Sequence, residues 1–176
     1  MTTKPYRWTA NRVELLVAEH FGTRANIIVP NVFWGWGLRY EADMVILRPS
    51  GVCIEVEIKV AAADIKADLK KYRAHDSDRF RMLYFAVPAE LKDHAGIPER
   101  AGIITVERVT RETYHGQSYT RDEVKLHRAP RVNKKAERIN DVWKMKLLQL
   151  AHMRVWSLKK HFMIEQMNRM NGKGLT

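Results

Sequence analysis

One short, strand-like run of this sequence contains acidic and basic residues that could take part in catalysis or metal binding. The run extends from Val52 to Val60 and alternates apolar residues with Glu55, Glu57 and Lys59. Because successive side chains of a strand point to opposite faces, these charged residues share one face and the apolar residues fill the other. The pattern predicts a strand that is anchored by its apolar face and presents two carboxylates and an ammonium on its other face.

A second strand candidate, Asp43–Leu47, precedes this run, and Arg48–Gly51 supplies turn residues between the two. If the paired residues have numbers that sum to 100, Asp43 lies opposite Glu57 with Cβ atoms about 5 Å apart. A shift of one residue would move Asp43 to the other face. The predicted hairpin therefore joins two carboxylates beside Lys59 only in this register.

Two adjacent carboxylates repel each other unless a cation lies between them, and hard oxygen ligands favour Mg²⁺ or Mn²⁺ over zinc. Such an ion stabilises an in-line phosphoryl displacement and lowers the pKa of the attacking water. Lys59 could orient that water or neutralise charge on the phosphate. The alternative is a hairpin whose charged face is simply solvated.

The order of Asp43, thirteen intervening residues and then Glu57-Ile58-Lys59 resembles the PD-(D/E)XK nuclease superfamily. The resemblance covers roughly residues 10–107, and within the superfamily this segment is similar to the MmcB-like branch of DNA-repair endonucleases. The further segments that carry it are Val60–Tyr72, Met82–Pro88, Ile97–Pro98 and Ala101–Ile104.

This resemblance implies a magnesium-dependent phosphodiesterase. Asp43 and Glu57 would be metal ligands, the Ile58 carbonyl would be a further ligand, and Lys59 would be the catalytic lysine. Ala42 stands where the name of the superfamily places proline, a replacement that leaves the ligands unchanged. The superfamily also includes inactive binding domains, so the likeness alone does not establish cleavage.

A helix is predicted from Asn11 to Phe21, with Gly22 as its stop. Glu14 in this helix has two interpretations. Asn11 followed three residues later by Glu14 matches a capping box, in which the glutamate returns to the Asn11 backbone. In related nucleases a glutamate on the opening helix often completes the metal site, which makes Glu14 a candidate catalytic residue.

The element order of helix, three strands, helix and further strands predicts an α/β fold, and the resemblance implies a restriction-endonuclease-like core. We expect residues 1–107 to form that core and residues 108–130 to form a loop or small hairpin outside it. Residues 131–176 would form a basic helical extension, because about 133–170 lack proline and glycine and contain strong helix formers.

The charge distribution favours a nucleic-acid partner. The chain has 31 Lys and Arg against 20 Asp and Glu, and residues 121–176 hold 14 of the basic side chains but only 5 of the acidic ones. Such a block attracts phosphate backbones through counterion release, without distinguishing DNA from RNA. The alternative is a solubilising basic tail. The candidate contacts are Lys66, Lys70, Lys71, Lys134, Lys135 and Arg138.

Other features are less specific. The apolar residues of the C-terminal helix cover more than one stripe, which suggests packing on the core and homodimerisation through another side. No secretion signal or membrane span is visible, so a cytoplasmic protein is expected. The seven histidines show no zinc-ligand spacing, and no chemistry is assigned to them.

Together these features predict a metal-dependent DNA endonuclease of repair, recombination, or mobile-element or phage DNA metabolism, with Mg²⁺ or Mn²⁺ as cofactor. Two alternatives remain open. One is a structure-specific nuclease that resolves junctions, and the other is a nucleic-acid-binding module that has lost cleavage.

Overall fold

The described residues of the protein form an α/β fold with one sheet and three α-helices. A computed structural model describes residues 6–33, 35–69, 75 and 77–170. The helices and strands in chain order are α1 Ala10–Phe21, β1 Ile27–Val32, β2 Ala42–Leu47, β3 Cys53–Ile58, α2 Ala62–Leu69, β4 Met82–Pro88, β5 Gly102–Glu112, β6 Ser118–Arg128 and α3 Asp141–Met170, with a single 3₁₀ turn at Ala89–Leu91.

The six strands form one mixed sheet and lie side by side in chain order. Strands β1, β2 and β3 pair antiparallel, β3 to β5 pair parallel, and β6 returns antiparallel to β5. Pro30 lies in β1, which is an edge strand, where a residue without an N–H group is tolerated. The predicted α/β class is confirmed, as is the long C-terminal helix.

Helices cover both faces of the sheet. On one face α1 buries Val13 and Val17 against alternate residues of β2 to β5. On the other face α3 buries Leu147 against β1 and β2, while Ile65 of α2 packs on Phe85 and its neighbours in β4 and β5. The second face therefore has two separate apolar clusters, and the middle strand β3 passes between them.

The capping box predicted at Asn11 is wrong. The N-cap of α1 is Thr9, whose hydroxyl accepts a hydrogen bond from the Arg12 backbone N–H, so Glu14 lies beyond the first turn and makes no cap. The predicted stop at Gly22 is confirmed, because its backbone N–H donates to the last carbonyls of the helix and its φ is 79°.

Residues 108–130, for which a loop or small hairpin outside the core is predicted, belong to the long β5–β6 hairpin, which continues the sheet. Strands β5 and β6 have 11 residues each, and their distal halves pair from Glu107 and Glu123 to Glu112 and Ser118. Most side chains there are exposed. Strand β5 continues to Glu112 because β6 pairs with it along this whole length.

The C-terminal helix begins at Asp141, eight residues after the predicted start at Asn133. Asn140 caps it by accepting a hydrogen bond from the Trp143 N–H at 3.0 Å. The preceding segment is extended, and its backbone bonds to the sheet end: the Asn133 N–H donates to the Arg81 carbonyl at 2.9 Å, and the Ile139 N–H to that of Gly51 at 2.9 Å. These long-range bonds replace the helical ones.

Helix α3 crosses the sheet and continues beyond it. It starts near Gly51, and Arg154 reaches Asn31 near the opposite end of the sheet, donating to its carbonyl at 2.7 Å. From His152 to Met170 every residue is exposed.

Across the described residues, no helix combines the length and hydrophobicity needed to span a bilayer. A cytoplasmic location stays a prediction.

Candidate active site

The predicted hairpin register is confirmed. Met44 lies opposite Val56 and Val45 opposite Glu55, so the numbers of paired residues sum to 100. At the open end of this hairpin, the Asp43 carboxylate accepts a hydrogen bond from the Ile58 backbone N–H at 2.8 Å. The turn chemistry and the apolar alternation therefore place Asp43 at the end of β3, next to the glutamate and lysine.

The charged row of β3 is buried. Glu55, Glu57 and Lys59 are 0%, 1% and 6% exposed, whereas the Asp43 side chain is 35% exposed. The row lies on the face that carries α2 and α3, in the gap between their two apolar clusters. The site is therefore a largely buried pocket of charged side chains that reaches solvent at Asp43.

Lys59 is surrounded by three carboxylates. Its Nζ lies 2.7 Å from Glu57 Oε2, 3.4 Å from Asp68 Oδ1 and 3.7 Å from Asp43 Oδ2. Burial lowers the pKa of this ammonium, but the contact with Glu57 outweighs that effect and the net pKa is raised. Lys59 therefore stays charged and neutralises part of the acidic cluster.

Glu57 is poorly compensated for a buried carboxylate. Burial, followed by the negative charge of Asp43, raises its pKa to about 7. Its Oε2 bonds to Lys59, while its Oε1 is buried without a hydrogen-bond partner. Buried polar atoms are almost always paired, so this oxygen has capacity for a cation or a proton.

Glu14 of α1 lies within electrostatic range of the same centre. Its side chain is partly buried, and burial together with the charge of Asp43 raises its pKa. The positive charge of Arg154 in α3 lowers the Glu14 pKa and so partly offsets this increase. With the capping interpretation removed, Glu14 is a carboxylate from a different element that interacts electrostatically with Asp43.

A second group of polar residues lies behind Glu57, and sequence reasoning missed it. His75 Nδ1 lies 2.8 Å from Glu55 Oε1 and 3.6 Å from Glu57 Oε1. Its Nε2 lies 2.7 Å from Asp68 Oδ2. All four side chains are less than 9% exposed, so the imidazole joins three buried carboxylates.

The position of His75 is fixed from several sides. Its ring packs edge-on against Tyr40 and Phe85, and Arg100 donates to its carbonyl. Its φ of 64° is left-handed, which is uncommon for a residue other than glycine. Burial lowers the pKa of His75, but the hydrogen bonds to Asp68 and Glu55 outweigh it and raise the pKa to about 9.

The sequence contained a weak signal for this group. Glu55 shares the strand face of Glu57, and Asp68 and His75 are seven residues apart, the spacing of two helical turns. In the described residues, however, α2 ends at Leu69. Sequence spacing along a helix therefore suggested the right neighbours without identifying the geometry that joins them.

The predicted nucleic-acid contacts fall into three groups. Lys66 is exposed on α2, and Lys70 and Lys71 lie outside the described residues. Lys134, Lys135 and Arg138 are exposed in the extended segment before α3, not on the helix. This segment borders a cleft of about 600 Å³.

Four cations line this cleft, namely Arg39, Arg79, Lys135 and Arg138. None of the four forms an ion pair with a carboxylate in the described part of the chain. The Arg79 guanidinium lies 3.5 Å from the centre of the Trp143 ring. Gly37 permits this stack, since a Cβ there would lie 2.8 Å from Arg79 Nη2. Asp78 and Glu137 also line the cleft, so this concave surface on the α3 side of the sheet carries four cations against two carboxylates.

Two sets of side chains could hold a cation. The first is Asp43 with Glu57 and the Ile58 carbonyl, at the exposed end of the pocket. The second is the buried set of Glu55, Glu57 and His75, whose ligand atoms all lie within 4.8 Å of one another. Counting Asp68, the pocket has four carboxylates against one ammonium and one imidazolium, which leaves two negative charges when all groups are ionised.

Comparison with known proteins identifies the fold alone. The chain is similar to a solved structure described as "SPO1766 protein of unknown function from Silicibacter pomeroyi", with 16% sequence identity and a TM-score of 0.56 over 100% of this chain and 98% of that one. No family model matches the sequence, and no curated protein is detectably similar to it.

Proposed function

We propose that the protein is a metal-dependent DNA endonuclease that hydrolyses phosphodiester bonds. The convergence of Asp43, Glu57 and Lys59 in one pocket with an opening to solvent carries this proposal. The sequence order of these residues and their resemblance to the PD-(D/E)XK superfamily supply the expected chemistry. Action in DNA repair, recombination, or mobile-element or phage DNA metabolism stays part of the proposal.

The donor set suits Mg²⁺ or Mn²⁺. Glu57 Oε1 lacks a hydrogen-bond partner, Asp43 is oriented by the Ile58 N–H, and the surrounding charge is negative. Asp43, Glu57 and the Ile58 carbonyl would hold the ion, which supplies a water of lowered pKa and stabilises charge on the phosphate when bound.

The side chains of this pocket have separable roles in the proposed reaction. Lys59 is a buried ammonium with a raised pKa, so it stays protonated and can stabilise a phosphate oxygen or orient water. Glu14 has a pKa raised by burial and by the charge of Asp43, which suits a group that holds water or accepts a proton. The apolar clusters on both sides keep the remainder of the pocket dry.

The element order supports a restriction-endonuclease-like core. Helix α1, the antiparallel strands β1 to β3, helix α2 and the parallel strand β4 place the acidic residues at the end of the β2–β3 hairpin. The cleft cations supply a surface for a phosphate backbone, with DNA as the proposed partner and RNA as an outcome of the test.

The proposal is tested by incubating the metal-free protein with plasmid, single-stranded and branched DNA, and with RNA, while Mg²⁺ or Mn²⁺ is titrated. Asp43→Asn is the first variant because its amide oxygen still accepts the Ile58 N–H and the residue is partly exposed, so the fold is retained. Lys59→Ala is the second variant. Cleavage by the wild type that is lost in both variants, with DNA binding retained, supports the nuclease.

Two other outcomes correspond to the alternative functions. Cleavage confined to branched DNA identifies a structure-specific nuclease that uses the same residues. Equal DNA binding by wild type and variants, without cleavage under any metal, identifies a non-cleaving binding module and overturns the enzymatic proposal.

A further inference from the structure

Two carboxylate oxygens inside the protein are left without hydrogen-bond partners at the same place. They are Glu55 Oε2 and Glu57 Oε1, on side chains that are 0% and 1% exposed. Tyr40 lies beside this group: burial, then the charge of Glu55 and a side-chain contact with it, raise the Tyr40 pKa, but its hydroxyl makes no hydrogen bond of normal geometry. Leaving a buried carboxylate oxygen without a partner is unfavourable, and a cation bound between these side chains would offset that cost.

We infer that Glu55, Glu57 and His75 form a second metal site, which takes a transition-metal ion of the Zn²⁺ or Mn²⁺ class. The site lies deeper in the protein than the magnesium ligands proposed above. Glu57 would belong to both sites, with its Oε2 beside Lys59 and its Oε1 toward His75. This second site goes beyond the proposed nuclease activity and does not depend on it.

The distances fit coordination by one small ion. His75 Nδ1 lies 2.8 Å from Glu55 Oε1 and 3.6 Å from Glu57 Oε1, and all ligand atoms of the set lie within 4.8 Å of one another. Ligands at about 2.1 Å from a metal lie roughly 3 Å to 3.5 Å apart in tetrahedral or octahedral sites. Only small side-chain adjustments would therefore be needed to receive the ion.

The surroundings of His75 resemble those of metal-ligating histidines. Its far nitrogen, Nε2, lies 2.7 Å from Asp68 Oδ2, as in the carboxylate–histidine pairs that orient the ring and set its tautomer. The left-handed backbone and the ring contacts to Tyr40 and Phe85 hold the imidazole in place before any ion binds. One imidazole and two carboxylates form a softer donor set than the oxygen ligands preferred by Mg²⁺.

The test measures metal binding directly. Protein stripped of metal by a chelator is titrated with Zn²⁺ alone and with Mn²⁺ alone, and calorimetry gives the affinity and stoichiometry for wild type, Glu55→Gln, His75→Gln and Asp43→Asn. Circular dichroism confirms that each variant is folded. In parallel, nitrogen NMR of the His75 ring reports the protonation of Nδ1 with and without Zn²⁺.

The expected result is a Zn²⁺ or Mn²⁺ site that persists in Asp43→Asn, is lost in Glu55→Gln and His75→Gln, and deprotonates His75 Nδ1 when filled. Asp68→Asn should weaken it by roughly 10- to 100-fold. If the wild type binds neither ion, if Asp43→Asn alone removes all binding, or if Nδ1 stays protonated at saturating Zn²⁺, the inference is overturned. DNA cleavage is scored separately, so either proposal can fail without the other.

Discussion

The Asp43 carboxylate accepts a hydrogen bond from the backbone N–H of Ile58 at 2.8 Å. This bond joins Asp43, near the start of β2, to Ile58, the last residue of β3. It also orients Asp43 toward Glu57 and Lys59, so the geometry of the pocket is fixed by the hairpin before any ligand binds.

Magnesium should stabilise the folded protein. The proposed ligands Asp43 and Glu57 bind the ion in the folded state only, so a concentration of 100 times its Kd adds about 2.7 kcal/mol to the free energy of unfolding. Thermal or urea unfolding with and without Mg²⁺ measures this gain. Asp43→Asn should lose most of the gain, and an equal gain in this variant would place the ion elsewhere.

Metal-free protein should lose stability as the pH rises from about 6.5 to 9. His75 has a pKa of about 9 when folded against an ordinary value of 6.5, so the folded state holds the proton more tightly. Its contribution is complete below pH 6.5 and is lost as the pH approaches 9, and its size is on the order of 3 kcal/mol. Glu57 also has a raised pKa, so its contribution to the stability is likewise lost as the pH rises, in this case between pH 4.5 and about 7.

Urea unfolding in a chelating buffer, measured at intervals between pH 5 and pH 9.5, tests this dependence. His75→Gln should flatten the curve above pH 6.5. Parallel curves for variant and wild type in that range would show that the imidazole does not gain its proton affinity from Glu55 and Asp68.

Removing the cleft cations should weaken DNA binding and its dependence on salt. The triple variant Arg39→Ala, Lys135→Ala and Arg138→Ala removes three charges that form no ion pairs in the described chain. If each contacts one phosphate, the slope of log K against log salt falls by about 3. Fluorescence anisotropy with metal chelated measures the slope.

A matched control removes the same number of charges from the β5–β6 hairpin. Arg111, Arg121 and Lys125 are exposed but already contact Glu123. Their replacement by alanine should change the salt slope much less. Equal effects of the two triple variants would mean that net charge, not the cleft, governs binding.

Gly102 should resist replacement because the Tyr84 ring covers it. A Cβ at this position would lie 2.6 Å from the ring and 3.0 Å from the Arg128 carbonyl. Gly102→Ala is therefore expected to cost about 1–3 kcal/mol in urea unfolding. The cost should shrink when Tyr84 is also changed to alanine, and additive effects of the two changes would contradict a direct clash.

The C-terminal helix should mediate self-association, a prediction from the sequence that stays open. Trp156, Met163 and Met167 are 56%, 54% and 58% exposed and lie on one helical face, at spacings of seven and four residues. Light scattering should show a dimer for the wild type and a monomer for Trp156→Glu combined with Met163→Glu. Gln166→Glu is the control, and a monomeric wild type would refute the prediction.

The acidic hairpin was predictable because its determinants are local. Alternating apolar residues and the turn at Arg48–Gly51 define two strands and their register, and the register alone brings Asp43 to Glu57. Helix α1, whose apolar residues recur at helical spacing, is also predicted to within one residue at its start.

The polar group around His75 was not predictable in the same way. Its members come from β3, α2 and a turn, and they meet only after α2 packs on the sheet. The start of α3 was missed for a related reason: residues 131–140 have helical propensity, but backbone bonds to Arg81 and Gly51 hold them extended. In both places tertiary contacts override local preference.

The same hairpin that carries the carboxylates also supports the basic segment at its other end. The Ile139 N–H donates to the Gly51 carbonyl, and a Cβ at Gly51 would lie 3.3 Å from that of Arg138. Six residues of extended strand span about 20 Å, which equals roughly six phosphates along one strand of B-form DNA. Under the proposed function, a duplex aligned with the hairpin would need about six base pairs to reach from one end to the other, which would set the shortest DNA that contacts both ends.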